Sequence, residues 1–318
     1  MYLKQIPLAL ALAAVACAPM AAPSPAPAEP ETIAATPPSP VAADSQAWAR
    51  AVDEQASRLQ QRFPDATISI AVADVTSGEL LASVGALDEP HATGSTMKAF
   101  TVAAALAAGV GADEPLDCDG GKATFGGTTI EDHAPHGVVS VREAFARSSN
   151  VAIVRLAERV GVRPLYDAVA KMVALPPAAE VDDPAAVLLL FGGTSKLTTR
   201  QLVDGYAMLA RGGTSASGGE RLVDPPAAAT LGELLEHAVT TAEGTGKEAA
   251  VDGIEIGGKT GTADHPAGRT ALFFGVARPA DTRPVVVGVV VQGVPRDQYG
   301  GNLAAPAFAE IVRQAVAR

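Results

Sequence analysis

Strand-forming runs stand at both ends of this chain, and a long stretch of helical pattern separates them. Ile68, Ile70 and Val72 alternate with smaller residues, Thr76-Ser77-Gly78 offers a turn, and residues 80–84 follow, which together read as a hairpin. The next strand signals come at residues 254–258, 271–276 and 285–291. Between Ser95 and Leu209 the pattern is mostly helical. Ser140 with Glu143 reads as a capping box, Gly161 sits where a helix C-terminus favours positive φ, and Thr198 with Gln201 forms a second box. A helix is expected from Asp44, read as its N-cap, through Trp48, Val52, Ala56, Leu59 and Phe63, and another over residues 306–316. Early strands that return late imply one sheet assembled from both ends of the chain. The spacing therefore predicts an α/β (α+β) fold with an all-α subdomain inserted in the middle and a cleft between the layers. Clefts of this kind host active sites.

Charge narrows the partners. With 24 Lys and Arg against 35 Asp and Glu, a formal net charge of -11, the chain has no clustered cations to follow a phosphate backbone, which excludes nucleic acid and disfavours anionic membrane surfaces. Lys4 followed by the apolar stretch Ile6 to Ala16 reads as an export signal over residues 1–17. The run ends Ala14-Val15-Ala16-Cys17, which resembles the lipobox of bacterial lipoproteins and makes Cys17 a candidate for lipidation and a membrane tether. An ordinary secretory signal and an uncleaved short anchor stay open. Residues 18–43 are almost entirely Ala, Pro, Ser, Glu and Thr, a composition too poor in large apolar groups to order itself, so they read as a linker and residues 44–318 as the folded domain. The second of the two cysteines, Cys118, is expected to pack as a small apolar residue, with no disulfide framework.

Three short motifs stand in order: Ser95-Thr96-Met97-Lys98, Ser148-Ser149-Asn150 and Lys259-Thr260-Gly261-Thr262. At i and i+3 of a helix that begins after Gly94, Ser95 and Lys98 share one face, so the amine can reach the hydroxyl. A lysine held in a dry cleft near other cations loses its proton readily enough to act as the base that activates the serine. Taken alone, the tetrapeptide reads first as an N-cap and a solvated lysine. Ser148 and Asn150 fall on a short helix-to-helix connection able to point into a cleft, where Ser148 can relay a proton and Asn150 can bind an amide and fix Lys98. The third tetrapeptide follows residues 254–258, a strand whose Gly257 and Gly258 let a ligand's backbone approach; Lys259 adds positive charge, and Thr260 and Thr262 can hydrogen-bond a carboxylate. The N–H groups of Thr262 and Ser95 are candidates for an oxyanion hole. An ordinary β-turn is the plainer reading of this last tetrapeptide.

The trio resembles the motif set of β-lactamases and penicillin-binding proteins. The segment GSTMKAFTVAAAL is similar to the nucleophile helix of class B penicillin-binding protein transpeptidase domains, and VREAFARSSNVAIVRLAERVG resembles their second-motif region. LTTRQLVDGYAMLARGG, GTGKEAA and YGGNLAAPAFAEI are similar to later landmarks, so the match runs from about Ala66 to the C-terminus. The resemblance implies a β-lactamase/transpeptidase-like fold, an antiparallel sheet flanked by helices. It implies a serine acyl-enzyme D,D-transpeptidase acting on D-Ala-D-Ala peptidoglycan stem peptides, covalent binding of penicillin and other β-lactams, no cofactor, and a place in the cell envelope or periplasm. Ser95, Lys98, Ser148, Asn150 and Lys259 would be its catalytic set, and Thr260, Gly261 and Thr262 its substrate-binding residues.

Departures and alternatives follow from the same residues. Members of that class carry a long N-terminal pedestal domain and a membrane helix, whereas here the catalytic region follows the linker. Position 99 is Ala where Pro is frequent, and residues 84–91 are short for a wall of the substrate groove. A D,D-carboxypeptidase uses the same residues with water as acceptor. A class A β-lactamase would add a Glu-x-x-Leu-Asn pentapeptide, and Glu180, Asp182 and Asp183, read here as solvated loop charges, do not form one. A non-enzymatic β-lactam sensor or a cell-wall binding module needs the same cleft. His133 and His136 beside Asp132 lack a third ligand at zinc spacing, so no metal is expected.

Overall fold

The computed structural model describes residues 40–216 and 219–317. The export signal of residues 1–17, the lipidation candidate Cys17 and most of the linker lie outside the described residues. Helix α1 (Pro40–Arg62) begins inside the segment read as linker, so Asp44 is within the helix and is not its N-cap. The first helical turn tolerates proline because that N–H has no intrahelical partner, and Val-Ala-Ala follows it with little cost to helix formation.

Strands β1 (Thr67–Asp74) and β2 (Leu80–Val84) form the early hairpin, and β3 (Glu255–His265), β4 (Gly268–Arg278) and β5 (Val285–Val294) come from the far end of the chain. They make one sheet in the order β2-β1-β5-β4-β3. β1 lies antiparallel to β5 from Thr67↔Gln292 to Asp74↔Val285, and β4 pairs antiparallel with both β5 and β3. Strand β3 is thus an edge.

Both faces of the sheet are covered, which explains the unbroken valine run of β5. Val285, Val287, Val289 and Val291 enter one core with Trp48, Val52, Leu59, Phe308 and Ile311, from α1 and the closing helix (Ala305–Val316). Val286 and Val290 enter the other with Phe100, Tyr206 and Phe274. A strand buried on both faces reads as a continuous apolar run, and β1 is buried on both faces too, its large residues Ile68, Ile70 and Val72 entering the first core and its small ones Ala71 and Ala73 the second. In the second core Tyr206 sits 5.5 Å from Phe100 and 5.6 Å from Phe274 by ring centroids.

The inserted lobe carries helices α2 (Lys98–Ala107), α3 (Val141–Ala146), α4 (Asn150–Val160), α5 (Val162–Met172), α6 (Asp183–Phe191), α7 (Thr199–Ala210) and α8 (Pro225–Thr240), after which the closing helix is α9. The Thr198/Gln201 capping box forms as expected. At Ser140 only half of one does: its hydroxyl accepts from Glu143 N, while the Glu143 carboxylate takes Arg147 at 3.0 Å. Beyond the expected helices, the lobe holds small β pairs, Lys122–Phe125 with Thr128–Glu131 and Pro115–Asp117 with Val138–Ser140. Gly126-Gly127 turns the first of these, at φ 55° and 80°. No helix among the described residues is long and apolar enough to cross a membrane.

Candidate active site

Ser95 sits in a 3-10 turn (Gly94–Met97) that leads directly into α2. The turn is held from several sides. Thr96 Oγ1 donates to Thr93 O at 2.7 Å, Tyr206 Oη donates to Thr96 O at 2.9 Å, and the Thr93 and Ser195 hydroxyls bond to each other. Gly94 adopts φ +50°, and a Cβ there would lie 2.6–2.9 Å from the backbone of Thr262. Only a glycine lets this turn press against β3, and that contact brings the first and third motifs together. Ser95 is half-buried and lines a cleft of about 770 Å³ with His133, Ser148, Thr245, Thr260 and Thr262.

Lys98, one turn further, is 1% exposed. Its Nζ donates to Ser148 O at 2.6 Å and to Asn150 Oδ1 at 2.6 Å, with Ser148 Oγ at 3.4 Å. Burial pushes its pKa down to about 7, against the opposing charge of Asp132. The second motif spans the end of the link between α3 and α4, with Ser149 as the N-cap and Asn150 as the first residue of α4, and Ser148 adopts φ +64°, a conformation that few residues other than glycine take without strain. That backbone turns the Ser148 carbonyl onto Lys98 and its hydroxyl toward Lys259, whose Nζ donates to Ser148 Oγ at 2.8 Å. Lys259 is fully buried, 5.7 Å above the Phe145 ring, and burial together with the charge of Lys98 lowers its pKa well below the ordinary value. Ser148 Oγ therefore bridges two lysines, and each lysine comes from a different motif.

The third motif is not a turn. β3 runs through Lys259 to Thr262 and on to His265, with Lys259 opposite Phe274 and Thr262 opposite Ala271. Glycines argue against a strand by propensity, but a Cβ on Gly261 would meet Thr93 O and Thr96 Cγ2 at 2.8 Å, so close packing accounts for the residue. Thr260 Oγ1 donates to Thr245 Oγ1 at 2.8 Å, and Thr262 Oγ1 accepts from Gly300 N at 3.1 Å. The Thr262 hydroxyl proton is left to point elsewhere.

All eight candidate residues thus meet in one place, and two residues that motif reading passed over support them. Asp132 accepts from Ser149 Oγ at 2.6 Å, from Val151 N at 3.1 Å and from Asn150 N, closing the start of α4. Its proximity to Lys98 and to two free helix N–H groups arises from a chain reversal that no local pattern announces. Thr245 ties the loop before β3 to the end of α3 through Ala146 O. Asn150 is engaged at both ends of its amide, Oδ1 by Lys98 and Nδ2 by Glu131 O at 2.7 Å, which favours the holding of Lys98 over ligand contact. Asp182 is the N-cap of α6 and Asp183 pairs with Arg163 at 2.8 Å; both are exposed, as expected of solvated charges, although they belong to the start of a helix and not to a loop. Cys118 is buried as expected, with Ser149 Oγ at 3.6 Å from its sulfur.

Residues 68–174 and 182–313 match the family described as the penicillin binding protein transpeptidase domain, and the chain belongs to that family. It is 30% identical over 279 residues to the penicillin-binding protein PbpB of Mycolicibacterium smegmatis, covering 71% of this chain and 43% of that one. It is 31% identical over 325 residues to the peptidoglycan D,D-transpeptidase PbpA of Mycobacterium tuberculosis, covering 86% and 60%. The chain therefore spans about half the length of the curated relatives it matches. The transpeptidase domain of Burkholderia pseudomallei penicillin-binding protein 3 superposes with a TM-score of 0.76 at 24% identity, over 85% of this chain and 94% of the other, and shares the fold.

Proposed function

We propose that this domain is a serine acyl-enzyme D,D-transpeptidase acting on D-Ala-D-Ala-ended peptidoglycan stems. The observation that carries the reading is the hydrogen bonding of Lys98. A neutral amine has two protons and one lone pair. Its two short bonds, to Ser148 O and Asn150 Oδ1, use the protons, and the lone pair is left for the proton of Ser95. A pKa of about 7 keeps a large fraction of Lys98 in that state near neutrality. Ser95 Oγ then attacks the penultimate carbonyl, whose oxyanion is met by the N–H groups of Ser95 and Thr262. As the C–N bond breaks, the Ser148 hydroxyl passes its proton to the departing D-Ala amine and regains one from Lys98, while Lys259 holds the Ser148 oxygen in place. Thr260, Gly261 and Thr262 on the open edge of β3 receive the substrate backbone and its terminal carboxylate. The Ser95 ester next acylates an amine of a neighbouring stem. With water as the acceptor, the same groups give a D,D-carboxypeptidase.

A β-lactam is held because its leaving amine stays tethered after the ring opens. The engagement of Asp182 and Asp183 in α6 supports a persistent adduct over β-lactamase turnover. Export through residues 1–17, tethering through a lipid on Cys17, and a place in the cell envelope belong to the same proposal, supported by the peptidoglycan activity named for the mycobacterial relative. The reaction calls for no cofactor or metal.

Intact-mass measurement of the full chain after incubation with benzylpenicillin tests the reading. One stable adduct, absent from Ser95→Ala, is expected. An adduct on Ser95→Ala would sink the assignment. Rapid release of penicilloate without accumulation would make the protein a β-lactamase, and no adduct at all would make it a binding module.

A further inference from the structure

Arg269, near the start of β4, is half-buried and lines the same cleft as Ser95. Its Nε is enclosed without a hydrogen-bond partner, and among the described residues no carboxylate or carbonyl bonds to its guanidinium. Other arginines of the fold are paired: Arg142 with Asp113, Arg155 with Glu158, Arg163 with Asp183 and Arg278 with Glu255. The carboxylate best placed for Arg269 is Asp264, directly opposite on β3, yet Asp264 faces Arg296 at 3.5 Å instead. Glu243 and Glu248 share the cleft and leave Arg269 unpaired as well. The pairing of β4 with β5 shifts register between Arg269 and Thr270, the kind of irregularity that re-aims a side chain beside a site. The same wall is electropositive. Burial lowers the pKa of His133, and the charges of Lys98, Arg269 and Lys259 push it further down.

The enclosed Nε loses hydration that nothing replaces, while the outer nitrogens of the half-buried guanidinium stay open to the cleft, and a ligand carboxylate can take Nε and one of them with two parallel, charge-assisted bonds. The geometry points to a subsite in which Arg269 receives a carboxylate of the donor peptide, carried by the second residue before the penultimate D-Ala. This inference rests on the transpeptidase reading for its direction. The departing D-Ala lies toward Ser148, Lys259 and Thr260, so the acyl part of the peptide runs the other way along β3, past Thr262. Arg269 stands across from Asp264, two positions beyond Thr262 and about 7 Å along the strand, the span of two residues in an extended peptide. A carboxamide at that place offers one acceptor oxygen and a mismatched NH₂ group, so the subsite sorts stems with a free carboxyl from amidated ones.

Two donor depsipeptides ending in D-Ala-D-lactate, identical except for a carboxylate or a carboxamide on that second upstream residue, test it. The ratio of their kcat/KM values for D-lactate release is expected to favour the carboxylate by roughly 10- to 100-fold in the wild type. It should fall to about 1 in Arg269→Gln and keep part of its size in Arg269→Lys. The ratio is taken within one preparation, so partial misfolding cancels. A wild-type ratio near one, a ratio unchanged in Arg269→Gln, or failure of both peptides while benzylpenicillin still labels Ser95 overturns the subsite. Failure of benzylpenicillin to label wild-type Ser95 removes the reading beneath it, and the subsite with it.

Discussion

Replacing Lys98 by Met separates the buried amine from everything else in the site and gives a signed, measurable effect on stability. In the unfolded chain Lys98 keeps its proton up to its ordinary value of 10.5, whereas in the folded protein burial lets it go at about 7. Between these limits the unfolded state binds one more proton than the folded state, so the free energy of unfolding rises with pH. The slope for one proton is about 1.4 kcal/mol per pH unit, which accumulates to about 2.7 kcal/mol between about pH 7.5 and about pH 9.5. Lys259 is depressed partly by Lys98, so in Lys98→Met its own pKa recovers and its slope shrinks, which adds to the difference in the same direction. Urea unfolding of both proteins across this range, plotted as wild type minus mutant, should therefore climb with pH. A flat or falling difference would refute the view that Lys98 is buried with a depressed pKa. The same titration predicts that acylation of wild-type Ser95 by benzylpenicillin rises through about pH 7 and levels above it.

Two further outcomes follow from the contacts around that amine. Asp132→Ala removes the acceptor of Ser149 Oγ and of two N–H groups at the start of α4, so thermal unfolding should show a loss of about 1–2 kcal/mol. Because Asp132 holds the Lys98 pKa up, the acylation profile of this variant should also move to lower pH, and an unmoved profile would contradict the coupling. Gly94→Ala puts a methyl group within 2.9 Å of the Thr262 backbone at φ +50°, so stopped-flow acylation should slow by at least about tenfold, with a drop in melting temperature.

The first motif was legible because an i, i+3 spacing puts Ser95 and Lys98 on one face of a helical turn, and the early hairpin and the late strands because strand periodicity is local. Legibility failed where the decisive contact was remote. The strand signal reads only to Gly258, and Lys259 to Thr262 keeps the reading of a turn, because nothing local shows that Gly257 packs on Leu235, Gly258 on Phe273 and Gly261 on the Ser95 turn. Asp132 was noticed beside two histidines as a metal candidate, yet its partners are residues 149–151, reached through the folding of the lobe. The hairpin at Gly126-Gly127 carried the two-residue turn signal, but its strands are four residues each and were submerged in the helical pattern around them. Asp44 reads as a cap because polar residues favour that place. The helix instead starts at a proline four residues earlier, which helix statistics permit equally well.

The order β2-β1-β5-β4-β3 has a kinetic consequence. β1 finds its partner in β5, more than two hundred residues along the chain, so the sheet is dominated by contacts of long sequence separation. The helices of the inserted lobe can form from local contacts, but the turn carrying Ser95 waits on Ser195, Tyr206 and Thr262, and β1 and α1 have no second wall until Val285–Val294 is paired. Folding of this domain should therefore be slow and late to close, with the apolar face of the first hairpin exposed in the interval and in need of protection from aggregation. Reactivity should appear in the same final step, since Lys259 meets Ser148 only when the late hairpin has docked. Penicillin labelling during refolding would then report completion of the sheet, while circular dichroism would report the helices well before it.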